Sequence, residues 1–175
     1  MLKLLLIGTF LSVFSPQENI KEQAEKSISA FFSNNYELIF ERITLSKSLI
    51  NEIEKEIKQK FVNNYIYQWK VYDGDNLLAY AYLDNVLGKT MPITFLTIID
   101  LKNEVLHAEI IKYRESHGGE VSQRNWLNQF INKSVSNNFK LGDDISSISG
   151  ATISARSITK GVKKILLISK KLNSL

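Results

Sequence analysis

Five hydroxyls fall within nine positions: Ser146, Ser147, Ser149, Thr152 and Ser154. Gly150 and Ala151 separate them with almost no side-chain bulk, and a basic amphipathic segment follows at once. Phosphate oxygens accept hydrogen bonds from hydroxyls and from bare backbone amides. The first turn of a helix offers unpaired N–H groups at the positive end of its dipole. The spacing therefore predicts a phosphate site on Ser149, Gly150, Ala151, Thr152 and Ser154, where a turn feeds a helix. The same residue types also make an ordinary cap and turn without any ligand, so residue type alone leaves both readings open.

A second polar stretch, Glu115-Ser116-His117-Gly118-Gly119-Glu120, ends a strand-like segment. Two adjacent glycines let a backbone approach a partner closely, or simply turn with positive φ. Gly88-Lys89-Thr90 suggests a nucleotide-binding loop, but Leu83 stands where its first glycine belongs, and Met91-Pro92 does not begin a helix well. The chain has no cysteine, which excludes disulfides and thiolate chemistry, and its only two histidines, His107 and His117, argue against a histidine-rich metal centre. No Ser/His/Asp order or pair of carboxylates argues for hydrolysis. The chemistry must come from hydroxyls, carboxylates, backbone groups or a borrowed cofactor, and no residue is assigned a catalytic or metal-binding role.

Hydrophobic periodicity supplies the elements that would position these groups. Ile20, Ala24, Ile28 and Phe31 predict a helix over 19–32, and Leu49, Ile50, Ile53, Ile57 and Phe61 a second over 44–61, with Ser46 as its cap and Glu54–Lys58 and Glu56–Lys60 as supporting pairs. The period then falls to two. Residues 65–72 and 77–83 flank Asp73-Gly74-Asp75-Asn76 and predict a hairpin. The nearly continuous apolar run 93–100 predicts a central strand, and 105–113 another. Trp126, Leu127, Phe130 and Ile131 predict a helix over 123–133 with Trp126 in the core. After Thr152, Ile158, Val162, Ile165 and Leu166 predict an amphipathic helix whose other face carries Lys160, Lys163, Lys164 and Lys171. The expected class is α+β, an antiparallel sheet with helices packed to one side.

At 175 residues, 44% hydrophobic and 23% charged, the chain suits one globular domain over 16–175. The 22 basic and 18 acidic side chains leave a net charge of +4, read as a solvated basic face, with no nucleic-acid partner implied. Lys3 and the apolar run 4–14 read as a signal peptide or short anchor over 1–15, too short to span a bilayer comfortably, so export is expected.

Ser149-Gly150-Ala151-Thr152, followed by a hydrophobe and Ser154, resembles the flavinylation motif of the FMN-binding domain family, which includes the C and G subunits of the sodium-translocating NADH:quinone reductase and of the Rnf complex. Tyr113 to Gly119 resembles that family's Glu-Thr-Pro-Gly loop, residues 126–133 its Phe-x-Gly-Lys helix, and Gly88 to Ile93 its approach to the central strand. The resemblance covers roughly residues 88–168. It departs where His117 replaces a proline, Asn132 a glycine, and Ser146 a common acidic residue, with Asp143 and Asp144 just upstream.

The resemblance implies FMN attached through a phosphoester to Thr152, placed there from FAD by a separate Mg-dependent flavin transferase. It implies that the Glu115–Gly119 loop, with Ser116, His117 and Gly118, approaches the flavin, and that Lys133 belongs to the site. The chain then divides into a leader (1–15), N-terminal helices and hairpin (16–87) and an FMN-binding region (88–175). It would be an exported electron carrier, periplasmic or on the outer face of the cytoplasmic membrane, serving a membrane or extracytoplasmic redox partner. The rival reading is a non-redox binding module in which the N-terminal helices and aromatic strands enclose a small ligand without flavin.

Overall fold

The structure is a computed structural model that describes residues 16–32 and 36–173. The leader expected over 1–15 lies outside the described residues. Five antiparallel strands, β1 (Glu37–Thr44), β2 (Tyr65–Asp73), β3 (Asn76–Leu87), β4 (Pro92–Asp100) and β5 (Val105–Lys112), pair in sequence order into one open sheet. Helices α1 (Pro16–Phe32), α2 (Lys47–Ile57), the short α3 (Arg124–Leu127) and α4 (Thr152–Asn173) complete an α+β fold. Among the described residues, no helix is long and apolar enough to cross a membrane.

Antiparallel neighbours need only short turns, and the expected hairpin forms with its turn between Asp73 and Asn76. β4 is buried along almost its whole length, and β3 is mostly buried between Ala79 and Val86, because both faces of the sheet are covered there, which explains the loss of alternation in 93–100. One face carries the larger core: Tyr82, Val86, Phe95 and Ile99 meet Ile158, Val162, Ile165 and Leu166 of α4, with Ile53 and Ile57 of α2. On the other face Trp69, Val71, Ala81, Leu96 and Ile98 meet Ala24 and Ile28. Thus α2 and α4 share one side, as expected, whereas α1 covers the opposite side. Its apolar stripe has to be buried somewhere, and the second face of β2 to β4 is as apolar as the first.

Several boundaries differ from expectation. β1 was not anticipated: as an edge strand it leaves Ile39 and Phe40 well exposed, so its sequence lacks a clean alternation. Ser46 does cap α2, its hydroxyl accepting from Leu49 N–H at 3.2 Å. That helix stops at Ile57 because Lys58 turns left-handed at φ 52°. Glu54 consequently pairs with Lys60 and accepts from Phe61 N–H at 2.9 Å instead of meeting Lys58. The helix expected over 123–133 is only α3 flanked by two 3-10 turns.

The basic face of α4 is not simply solvated. Lys164 is fully buried, its Nζ 2.5 Å from Asp84 Oδ2 and 3.2 Å from the Asn85 carbonyl. Oδ2 has no hydrogen-bond partner among the described residues, and the contact with Asp84 is one of charge. Lys160 donates to the Lys58 carbonyl at 2.8 Å, and Lys163 and Lys171 lie 3.7 and 2.8 Å from Glu56 and Glu52. These cations therefore clasp α2.

Candidate functional site

The hydroxyl-rich run ends in a turn closed by Ala151 N–H to the Ile148 carbonyl at 3.1 Å. Gly150 sits at φ 80°, a conformation that favours glycine, and α4 begins two residues later. Ala155 N–H bonds the Ala151 carbonyl at 2.9 Å. The N–H groups of Thr152, Ile153 and Ser154 have no acceptor among the described residues, as expected of a first helical turn. Thr152 is exposed, and its hydroxyl donates to the Ile148 carbonyl at 3.3 Å. That contact is long enough to be given up readily.

Facing this turn is a cleft of about 520 Å³ lined by Lys89, Thr90, Glu115, Ser116, His117 and the Gly150–Ser154 segment. Two loops form its far wall, and Glu115 ties them together. Its Oε1 accepts from Thr90 N–H at 2.7 Å and Met91 N–H at 3.0 Å, and its Oε2 from the Thr90 hydroxyl at 2.9 Å. The Met91 and Thr90 amides hold this carboxyl at about 2, well below its ordinary 4.5. A Cβ on Gly88 would collide with Oε1 and lie 3.1 Å from the Met91 carbonyl oxygen, so the Glu115 carboxylate would have to shift to admit one.

Tyr113 joins the loop to the helix. Its phenol donates to the His117 carbonyl at 2.6 Å and lies 3.0 Å from Ser154 Oγ, so Ser154 must be the donor in the second bond. Gly118, at φ 84°, passes so close that an added Cβ would lie 2.9 Å from the Tyr113 hydroxyl and 3.1 Å from the Ala151 Cβ. The structure thus brings Glu115, Ser116, His117, Gly118, Gly150, Ala151, Thr152 and Ser154 together. Ser149 and Gly119 are exposed at the margins of the two turns.

Lys133 lies elsewhere. Its ammonium is 3.4 Å from Asp144 Oδ2, and its carbonyl accepts from Val105 N–H at 2.9 Å. Burial pushes the Asp144 carboxyl up, but the Lys140 and Phe139 N–H groups and the Lys133 charge outweigh it and hold the carboxyl low. Lys133 thereby braces the connector to the motif. Asn132 adopts φ 63°, the left-handed conformation natural to the glycine it replaces and tolerated by asparagine. Trp126 is buried, as expected, and donates from Nε1 to the Ser146 carbonyl at 2.8 Å, which fixes the backbone leading to the turn.

Lys89, Thr90, Tyr113 and Ile153 also belong to the cleft or its frame, although sequence reasoning gave them no role in the site. The signal for the first two was Gly88-Lys89-Thr90, whose resemblance to a phosphate loop drew attention to the wrong chemistry.

A cleft beside a helix start with three unclaimed amides and an exposed hydroxyl offers donors that an anion could accept from. Residues 88–167 match the model of the FMN-binding domain family. The matched residues run from the β3–β4 turn into α4 and contain the whole cleft. No curated protein matches the chain significantly.

The cleft suits FMN. Gly150 and Ala151 leave the approach to the α4 amides free of bulk, and those amides and Thr152 present donors to a phosphate. The flavin ring, when bound, supplies the electron chemistry, since none of the lining side chains is redox-active at ordinary potentials.

Proposed function

We propose that the protein is an extracytoplasmic electron carrier whose FMN is attached by a phosphoester to Thr152. One observation carries this reading: Thr152 is exposed at the head of α4, beside the cleft, with its own amide and those of Ile153 and Ser154 unclaimed. A phosphodiester left on Thr152 would keep one negative charge at the positive end of a 22-residue helix. Such a charge is favourable by roughly 0.3–1 kcal/mol at an exposed helix start.

Attachment requires that Thr152 Oγ bond to the FMN-side phosphorus of FAD while the bond to the second phosphate breaks. AMP leaves, and the hydroxyl proton passes to a base of the flavin transferase. Thr152 is the acceptor in this step, and the catalysis belongs to the transferase. A tether suits an exported carrier because it keeps the flavin at high local concentration where a released one would be diluted. The redox partner would be membrane-bound or extracytoplasmic.

Co-expression with a flavin transferase, followed by denaturing electrophoresis, tests the linkage. The expected outcome is a fluorescent band that Thr152→Val abolishes, with the stability of the apo-protein changed by no more than about 0.5 kcal/mol, as for most surface substitutions. A fluorescent band retained in the Val variant would place the attachment elsewhere. A missing wild-type band, where a known acceptor is labelled, would sink the covalent reading altogether.

A further inference from the structure

The α1-covered face of the sheet holds a second cavity, of about 620 Å³, that shares no lining residue with the flavin cleft. Ile20 and Lys21, in the second turn of α1, border this cavity, and the helix runs from there toward Phe31, whose ring meets His107. Three aromatic rings, Phe40, Tyr65 and Tyr67, form its walls, with centroids 5.6 Å apart for Phe40–Tyr67 and 5.3 Å for Tyr65–Tyr67.

Its charge is one-sided. Lys21, Arg42 and Arg114 line it, and no lining residue is acidic. Lys21 has Glu25 3.6 Å away, but neither arginine has a carboxylate partner among the described residues. Arg42 lies over the Tyr65 ring, 3.9 Å from its centroid. Arg114 is fixed from behind: Nη1 donates to the Pro92 carbonyl at 3.0 Å and to Thr94 Oγ1 at 2.9 Å, and the Thr94 hydroxyl donates onward to Asn85 Oδ1 at 2.7 Å. These bonds involve only Nη1 and leave the guanidinium's remaining donors for a ligand.

We propose that this cavity binds a small aromatic molecule carrying an acid group, its ring between Phe40, Tyr65 and Tyr67 and its anion on Arg42 and Arg114. Aromatic walls reward a flat ring, and a guanidinium held in place loses little freedom on pairing with a carboxylate, sulfonate or phosphate. The site does not depend on flavin in the cleft. It places a second ligand across one sheet layer from the cleft, because Arg114 and Pro92 of the cavity adjoin Glu115 and Met91 of the cleft wall.

The probe pair is anilinonaphthalene sulfonate and phenyl-naphthylamine, which share their rings and differ by the sulfonate. The full-length protein is titrated with each, following dye fluorescence. The sulfonate should bind at least about tenfold more tightly, the usual worth of one charge-assisted pair. Arg42→Glu should erase that preference, and Val62→Trp, placed on the exposed rim of the cavity, should abolish binding of both dyes while the melting temperature holds. Equal affinity for the two dyes, or sulfonate binding indifferent to both substitutions, would overturn the proposal. Displacement of the bound dye by FMN would assign the natural ligand to the flavins, and displacement by anthraquinone monosulfonate to acidic quinone-like rings. Displacement by neither overturns the site.

Discussion

Residues 88–167 and residues 16–87 divide the work unequally. Every residue lining the candidate flavin cleft lies in the first region. The second contributes no lining residue, yet it supplies β1, β2, β3 and α2. The cleft is built from turns that expose a hydroxyl and leave amides unpaired, and such a surface cannot organise itself. Its geometry depends on α4 being held in register, and the contacts that hold α4 come largely from outside the matched residues. Lys164 reaches back to Asp84, Lys160 to the end of α2, and Gly161 lets the helix settle against Val86 of β3. A site can thus be local in sequence while its support is not.

The Lys164–Asp84 pair tests that dependence most severely. Asp84→Ala leaves a buried ammonium without its counter-charge, a loss that typically costs about 3–5 kcal/mol, a large share of an ordinary domain's stability. Chemical denaturation should show a drop of that size, and flavin loading in cells should fall with the folded fraction. The double variant Asp84→Ala with Lys164→Met should regain most of the loss, because a thioether fits an apolar core without a partner. A single-variant cost below about 1 kcal/mol, smaller than this class of lesion produces, would mean that the two regions are not joined through this pair.

Gly161 offers a smaller probe of the same junction. A Cβ at this position would lie 2.8 Å from Val86 Cγ1 and 2.9 Å from Phe95 Cζ. Gly161→Ala gains helix propensity, worth up to about 1 kcal/mol, but overpacks a core where such insertions cost about 1–3 kcal/mol. The expected net result is destabilisation by about 1 kcal/mol, read as a lower denaturation midpoint at unchanged slope. Stabilisation instead would show that α4 does not seat closely on β3 and β4.

The difference between the regions also governs what could be read from the sequence. Repeating patterns that report burial were legible: α1, the β2–β3 hairpin, β4, β5 and α4 all follow from apolar spacing. The turn at Gly150 and the loop at Gly118 were legible as chemistry because few residue types suit them. β1 was hidden because an edge strand is half in solvent and needs no alternation. Lys164 was misplaced because a helical wheel cannot foresee that Asp84, 80 positions earlier, offers a buried partner. Thr90 and Glu115 were each noticed, but their bond joins positions 25 apart and belongs to tertiary structure alone. Lys133 was assigned to the site by resemblance, whereas its charge is used on Asp144.

That Thr90–Glu115 clasp lies wholly within the matched region and should respond to perturbation least. The Glu115 carboxyl sits at about 2 in the folded protein against an ordinary 4.5. A depressed carboxylate contributes stability that is complete above its unfolded value and lost as pH falls through the folded one. The wild-type melting temperature should therefore decline between about pH 5 and pH 2 in part through Glu115. In Glu115→Gln the amide oxygen can still accept from Thr90 and Met91 N–H, and the Thr90 hydroxyl can rotate to accept from the new amide. Stability near neutrality should change little, while the acid-side slope becomes shallower than in the wild type. Parallel slopes in the two proteins would show that the carboxylate charge does not hold the cleft wall. Flavin loading of Glu115→Gln at neutral pH should match wild type if the clasp only fixes the loops. Reduced loading with unaltered melting would instead put Glu115 in contact with the flavin or its transferase.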